Sequence, residues 1–303
     1  MDLRAEALRL TLDALAVEVS AVLADAAVPH VLLKGPSTAL WLYDPPRTYR
    51  DVDLLIPLSA LPRARSALSA ARLAGPAGGR VGEEAPHSLL LRSTSGYEID
   101  VHLSLPTVPL DGDRVWRVLA DHVEPLDLVV GSVPVLDEAG RCLVLALHAL
   151  NNGPNSAQPL EDLVRARAQC PPSAWAEAAG LAERIGAADL FAGALAMVDG
   201  AGPMSARARL YAAGAPSAAF GLQRLASARA RDLPRMLWRE IVPSRGFMYY
   251  DDPHLEHTRR ALAVAHLRRW RRLLADLPLA ARAWWRARRN DGADRGESSH
   301  NPH

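Results

Sequence analysis

The chain is nearly without lysine: of 35 basic side chains in 303 residues, Lys34 is the one lysine and the rest are arginine. The alanine-rich background suits a codon bias toward arginine, and a lysine kept against that bias marks a position where a compact ammonium is needed. Cysteine is scarce too. Cys142 and Cys170 stand in apolar or helical settings without metal-ligand spacing, which argues against a disulfide framework and a thiolate metal site. Net charge is close to absent, 35 basic against 34 acidic groups, so the whole surface is no electrostatic trap for nucleic acid. No apolar run approaches the ~20 residues of a membrane span before a charge or proline interrupts it, and Asp2, Arg4 and Glu6 precede any apolar stretch. The expectation is a cytoplasmic protein without a membrane span. With 49% of the chain hydrophobic, a large core can form.

Apolar positions Leu12, Leu15, Val19 and Val22 recur at steps of three and four, predicting a helix from Leu8 to about Ala27 that ends before Pro29. His30 to Lys34 reads as a short buried strand, Gly35-Pro36-Ser37 as a turn, and Pro36 as the first residue of a helix through Tyr43. Asp44-Pro45-Pro46 stops that helix, and Asp51 to Ile56 forms a second strand closed by Pro57. Ser59 to Leu73 reads as a helix and Gly75 to Gly82 as a flexible loop. His87 to Arg92 and Tyr97 to Leu103 read as strands joined at Thr94-Ser95-Gly96. Beyond about Pro125 one strand-like stretch, Leu128 to Leu136, precedes helical segments at 138–152, 158–169, 173–199, 204–212 and 216–241, with a turn-rich connection from Pro243 to Pro253. The fold class is α+β: a small mixed β-sheet with flanking helices and a C-terminal helical domain. The expected divisions are 1–130, 131–289, and a disordered polar tail at 290–303.

The chemistry concentrates in aspartates. Residues i and i+2 of a strand project from one face roughly 7 Å apart, so Asp51 and Asp53 point together while Val52 points into the core. Paired carboxylates repel unless cations lie between them, and a two-metal site with ions ~3.5–4 Å apart is one arrangement that satisfies them. In Glu98-Ile-Asp-Val-His102, alternation puts Glu98, Asp100 and His102 on one face. Oxygen ligands of this kind prefer Mg²⁺ or Mn²⁺ to zinc. The competing reading is structural: Asp51 and Asp53 capping a turn, and Asp100 merely solvent-facing on an edge strand.

Lys34-Gly35-Pro36-Ser37, Tyr43, Arg47, Arg50, Asp51-Val-Asp53-Leu-Leu and Glu98-Ile-Asp100-Val-His102 together resemble the uncharacterised nucleotidyltransferase family of the polymerase-beta-like superfamily, over most of residues 30–103. The resemblance implies a metal-dependent enzyme. It would move a nucleoside monophosphate from a nucleoside triphosphate such as ATP to a hydroxyl acceptor, with release of pyrophosphate. Asp51, Asp53 and Asp100 would be its catalytic and metal-holding residues, with Asp100 taking the acceptor's proton. Lys34, Gly35, Ser37, Arg47 and Arg50 would bind the triphosphate. Tyr43, His102 and His148 fall on the acceptor side, His148 standing beside the acidic pair Glu161-Asp162 in a downstream helical region that resembles the same family. One departure is Pro36, which offers no N–H where many superfamily members place a phosphate-gripping Ser or Gly. The rival functions are a catalytically silent binding or partner protein on this fold, and a toxin or antitoxin component modifying tRNA or protein.

Residues 255–289 hold ten arginines among Leu, Ala, Trp270, Trp284 and Trp285, as basic amphipathic helices broken near Pro278. Three readings stand: surface helices packed on the domain, a groove for an anionic acceptor such as RNA, and a membrane-surface or partner contact. The acceptor itself is a small metabolite, a peptide or protein, or RNA.

Overall fold

The computed structural model describes residues 3–73, 88–108, 112–200, 202, 204–243, 245, 248, 255–256 and 258–297. Six strands form one mixed sheet: β1 (Val31–Leu32), β2 (Asp51–Leu55), β3 (Ser88–Arg92), β4 (Glu98–His102), β5 (Val123–Leu128) and β6 (Gly131–Leu136), in the order β3-β4-β2-β1-β6-β5. β2 runs parallel to β4 and antiparallel to β1, and β6 runs parallel to β1. An α+β fold with a mixed sheet and a helical C-terminal region is thus what the chain adopts.

The chain divides into two compact units, Met1–Leu145 with Glu161–Ala188, and Ala146–Leu160 with Asp189–His303. In the first, helix α1 (Leu3–Asp25) lays Leu12, Leu15, Val19 and Leu23 against the sheet, beside α3 (Leu61–Ala70) with Leu61, Ala64 and Leu68. They meet Val52 and Leu54 of β2 and Ile99 and Val101 of β4, all buried. Each such side chain contributes about 1.5–3 kcal/mol by leaving water, which is why alternation on β2 and β4 decides which residues are left for the other face. That other face carries Asp51, Asp53, Asp100 and His102.

The same core buries polar groups in pairs. Asp13 of α1 accepts from the Tyr49 hydroxyl and from Arg9 Nη1 at 2.8 Å. Burial pushes the Asp13 carboxyl up, against the lowering effect of Tyr49 and Arg9, and pushes the Tyr49 phenol up as well. His30 Nδ1–H donates to Val28 O at 2.9 Å, and Ser20 Oγ lies 2.6 Å from His30 Nε2, an arrangement that seats a neutral imidazole.

Helix α2 (Pro36–Leu42) starts at Pro36 as expected, and α4 (Gly112–Leu119) follows β4. The stretch read as one strand at Leu128 to Leu136 is instead the hairpin β5–β6, turning near Gly131 with φ +151°. Pro125, the point beyond which the sequence pattern changes, lies inside β5, an outer strand of the sheet, where proline is tolerated. The boundary expected near residue 130 falls inside this hairpin, whose second strand pairs Val135 with Leu32.

Helices α5 (Glu138–Asn152) and α6 (Ala157–Gln169) follow expectation. The segment 173–199 is two helices, α7 (Pro172–Arg184) and α8 (Ala188–Asp199), separated at Gly186, whose φ of +71° ends the first. Likewise 216–241 divides into α10 (Ser217–Ser227) and α11 (Leu233–Ile241), and α9 spans Ala206–Ala212. The last helix, α12, runs Arg259–Glu297 without a break at Pro278. An internal proline costs about 3 kcal/mol. Ala280 and Ala287 of α12, packed with Leu210 of α9 and Ala219 of α10, offset it. The same helix carries residues 290–297, so the expected disordered tail begins within a helix. The expected loop at Gly75 to Gly82 and most of the connection from Pro243 to Pro253 lie outside the described residues. No helix among the described residues is long and apolar enough to cross a membrane.

Burial holds the His30 pKa below its ordinary value, so the unfolded chain takes up a proton near pH 6.5 that the folded chain refuses. Stability contributed by neutral His30 is therefore present above about pH 6.5 and declines as pH falls below it, by at most ~1.4 kcal/mol per pH unit. Urea midpoints of the protein and its His30→Gln variant, measured at pH 7.5 and 5.5, will differ more at the higher pH; a constant difference would show that His30 is not held neutral.

Candidate active site

The parallel pairing of β2 with β4 sets Asp53 opposite Asp100 and Asp51 opposite Glu98. In a parallel ladder, residues in register project from the same face, so all three aspartates share one face and the edge-strand reading of Asp100 is ruled out: β4 is flanked by β2 and β3. His102 lies on the same face. Its Nε2 sits 3.0 Å from Asp53 Oδ1 and 3.2 Å from Asp100 Oδ2, and the Lys34 ammonium reaches Asp53 Oδ1 at 2.8 Å.

Asp53 is 3% exposed, and burial alone would raise its pKa. The Lys34 ammonium and the His102 hydrogen bond outweigh burial and hold the carboxyl well below the usual carboxylate range. Asp51 and Asp100 go the other way. Burial raises both, and the nearby charge of Asp53 adds to it. One carboxylate is thus firmly ionised while its two neighbours are the readier to hold a proton, a division typical of sites that handle charge.

The donor atoms of Asp53, Asp100 and His102 lie within 4.8 Å of one another. Asp51, one strand step along the same face, stands outside that close group. Asp100 Oδ1 is buried and has no hydrogen-bond partner among the described residues. A buried acceptor without a donor is costly, and an oxygen-preferring divalent cation is a partner that removes the cost. Carboxylates from two strands, one of them with a buried oxygen left without a donor, therefore fit Mg²⁺ or Mn²⁺. A second group, His122, Asp137 and Glu177, is accounted for without a metal: Asp137 Oδ1 accepts from Gly140 N at the start of α5, and His122 meets Asp137 Oδ2 at 2.7 Å and Arg184 Nη2 at 3.1 Å.

The turn that carries Lys34 depends on Gly35, with φ +68°, where an added Cβ would meet the Tyr49 ring at 3.3 Å. Ser37 is fully buried and its Oγ donates back to Lys34 O at 3.4 Å, closing the turn from inside. Arg50 is exposed beside Asp51 and has no ion-pair partner among the described residues. Arg47 is committed elsewhere: its Nη2 donates to Asp162 Oδ2 at 2.8 Å and its Nε to Asp162 Oδ1 at 3.2 Å. The same Asp162 accepts from the Tyr43 hydroxyl at 2.5 Å, and burial with that carboxylate pushes the Tyr43 phenol up to about 12. Tyr43, Arg47 and Asp162 thus form a clamp between the α2–β2 loop and α6. His148 belongs to the second unit, where its Nδ1 lies 3.3 Å from Asn152 Nδ2.

Sequence reasoning singled out Lys34 but missed its partner, and gave Arg47 to phosphate when a buried aspartate on α6 holds it. The signal for the first was present in the composition, since the lone lysine closely follows β1, the strand that pairs with the strand of Asp53. Nothing local pointed from Arg47 to a residue over a hundred positions away.

Aspartates set this way on adjacent parallel strands, beside a glycine turn, suit nucleotidyl transfer, and comparison with known proteins agrees with that class. The chain belongs to the uncharacterised nucleotidyltransferase family, whose model matches residues 3–200, and is a nucleotidyltransferase enzyme. No curated protein matches it. Among solved structures it is similar to the antibiotic-resistance factor ANT(2'')-Ia, known from a solution structure, at 14% identity and TM-score 0.40, over 57% of this chain and 92% of that one. It is also similar to an antigenic nucleotidyltransferase-like protein from Paracoccidioides brasiliensis, at 17% identity and TM-score 0.35, over 57% and 88% of the two chains. The family match, not these distant likenesses, identifies the chain.

Replacing Lys34 by Met leaves the Asp53 charge with His102 alone, at a cost of about 2–4 kcal/mol at pH 7. In the parent protein the depressed Asp53 pKa contributes stability that is present above the unfolded value of about 3.9 and lost only as pH falls below it. In the variant burial prevails and the carboxyl protonates at higher pH. Urea denaturation will therefore show a gap between the two proteins that narrows from pH 7 to pH 4.5; a gap that is absent or widens contradicts the pairing.

Proposed function

We propose that this protein transfers a nucleoside monophosphate from a nucleoside triphosphate to a hydroxyl acceptor. The observation that carries the reading is the register of β2 on β4, which brings Asp53 and Asp100 face to face beside Asp51. The acceptor oxygen attacks the α-phosphorus, the bond to the bridging oxygen breaks, and pyrophosphate leaves with the electron pair. The acceptor's proton passes to Asp100, whose raised pKa and buried, unpartnered Oδ1 suit it to receive one.

Asp51, Asp53 and Asp100 are the residues that would hold divalent metal, with His102 donating to Asp53 to fix its carboxylate. When bound, the cation supplies positive charge toward the phosphate oxygens and the entering hydroxyl. Asp53 stays ionised across the physiological range, so the site keeps one permanent anion for a cation to meet. Lys34 brings an ammonium that exchanges between Asp53 and the triphosphate, and Gly35 allows close approach of the backbone. Ser37 serves this turn from behind by holding the Lys34 carbonyl. Arg50, exposed and uncommitted, is placed next to Asp51 to meet the triphosphate, where its planar guanidinium can make paired hydrogen bonds. Arg47 acts one step removed, since Asp162 already occupies its donors and fixes the loop that leads into β2.

Incubation with each labelled nucleoside triphosphate and Mg²⁺ or Mn²⁺ in a cell extract, with isolation of the labelled product, tests the reaction and identifies the acceptor. Asp53→Ala, Asp100→Ala and Asp51→Ala will each lower the transfer rate by at least about 10²-fold, as expected for loss of a group that stabilises charge in the transition state, while circular dichroism stays that of the parent. Transfer at the parental rate in any of the three removes that residue from the mechanism, and in all three rejects the reading.

A further inference from the structure

The last helix, α12, presents different chemistry on different sides. Ala265, Ala280 and Ala287 are buried, the latter two in the cluster with Leu210 of α9 and Ala219 of α10. Turned away from that packed side, Leu267, Trp270, Leu274, Leu277 and Trp285 are exposed, Leu274 by 70%. At ~3.6 residues per turn these five fall within about a quarter of the helix circumference, and the stripe they draw is roughly 27 Å long. Helix α11 widens it: Trp270 Nε1–H donates to Ile241 O at 2.6 Å, and Leu237, Trp238 and Ile241 are exposed as well. An apolar stripe of this length on one side of a helix marks an interaction surface.

Charge says what kind of surface it meets. Residues 259–289 hold ten arginines against one acid, Asp276, and the next acids in the sequence, Asp291, Asp294 and Glu297, follow the end of the stripe. Arg268, Arg271, Arg282, Arg286 and Arg289 are exposed and, by the same helical geometry, form a second line alongside the apolar one. The Arg289 guanidinium lies 4.5 Å over the Trp285 ring, which joins the two lines at the far end of the stripe. Leucines offer no face on which a nucleic-acid base could stack, whereas leucine and tryptophan beside arginine match acyl chains beside phosphates. No helix among the described residues is long and apolar enough to cross a membrane, so such a helix would lie along the bilayer surface.

We infer that the exposed side of α12, with the end of α11, docks on the surface of an anionic lipid bilayer. The apolar stripe enters the boundary between acyl chains and head groups while the arginines meet lipid phosphates and carboxylates. This surface stands apart from the proposed transfer reaction and needs neither metal nor nucleotide.

Flotation of the full chain with lipid vesicles tests the assignment. Vesicles of phosphatidylcholine mixed with phosphatidylserine will capture the protein at least about tenfold more tightly than vesicles of phosphatidylcholine alone, and raised salt will weaken the capture. The double variant Leu274→Ser, Leu277→Ser, altered at exposed side chains, will lose at least about tenfold in affinity for the mixed vesicles. The double variant Arg271→Ala, Arg282→Ala will bind the mixed vesicles more weakly and phosphatidylcholine vesicles as the parent does. Circular dichroism of both will match the parent. Equal capture by the two vesicle types would overturn the inference, as would either variant binding the mixed vesicles like the parent. A dimer in sedimentation velocity that the leucine changes make monomeric, with no vesicle bound, would give the stripe to a second copy of this chain and overturn it. So would a single-stranded RNA bound in a steeply salt-dependent manner and unaffected by the leucine changes, with no vesicle bound.

Discussion

The site rests on one buried charge. Asp53 is almost wholly removed from water, a position in which a carboxylate ordinarily gives up its charge, yet the Lys34 ammonium and the His102 imidazole keep it ionised. Much of the surrounding structure serves that arrangement. The positive φ of Gly35 turns the chain just after Lys34, the buried Ser37 hydroxyl holds the Lys34 carbonyl, and the Tyr49 ring packs against the glycine. Behind Tyr49, its hydroxyl is pinned to Asp13, which Arg9 also holds. A chain of contacts, polar from Arg9 to the Tyr49 hydroxyl and then the ring against Gly35, therefore runs from α1 to the turn that carries Lys34.

The sheet supplies the geometry that side chains cannot. Because the side-chain period of a strand is two, the apolar residues Val52, Leu54, Ile99 and Val101 that face α1 and α3 also decide where Asp51, Asp53 and Asp100 must point. A slip of one residue between β2 and β4 would send Asp100 into that core. The free energy of apolar burial thus fixes the separation of the acidic groups, and the core is in this sense part of the site.

Much of this was legible in the sequence. Alternation in Asp51 to Leu55 and in Glu98 to His102 identified both strands and the face of each aspartate, because half-buried strands must alternate. Partnerships across the chain were not. Asp162 sits in a helix as one acid beside another, and only the folded chain brings it to Tyr43 and Arg47. The sequence misled at Pro125, where a change of pattern was read inside what is β5, and at Pro278, where local preference argued for a break. An outer strand needs fewer amide donors, and Ala280 and Ala287 packed on α9 and α10 carry the last helix through.

The lone lysine has a further consequence. The chain offers one ε-amine, and that amine is spent on Asp53. Acetylation, or any other acylation of lysine in this protein, can fall on no side chain but Lys34, where it would neutralise the ammonium and leave the buried carboxylate to His102. A modification that is diffuse in most proteins would here act as a single chemical edit at the centre of the fold.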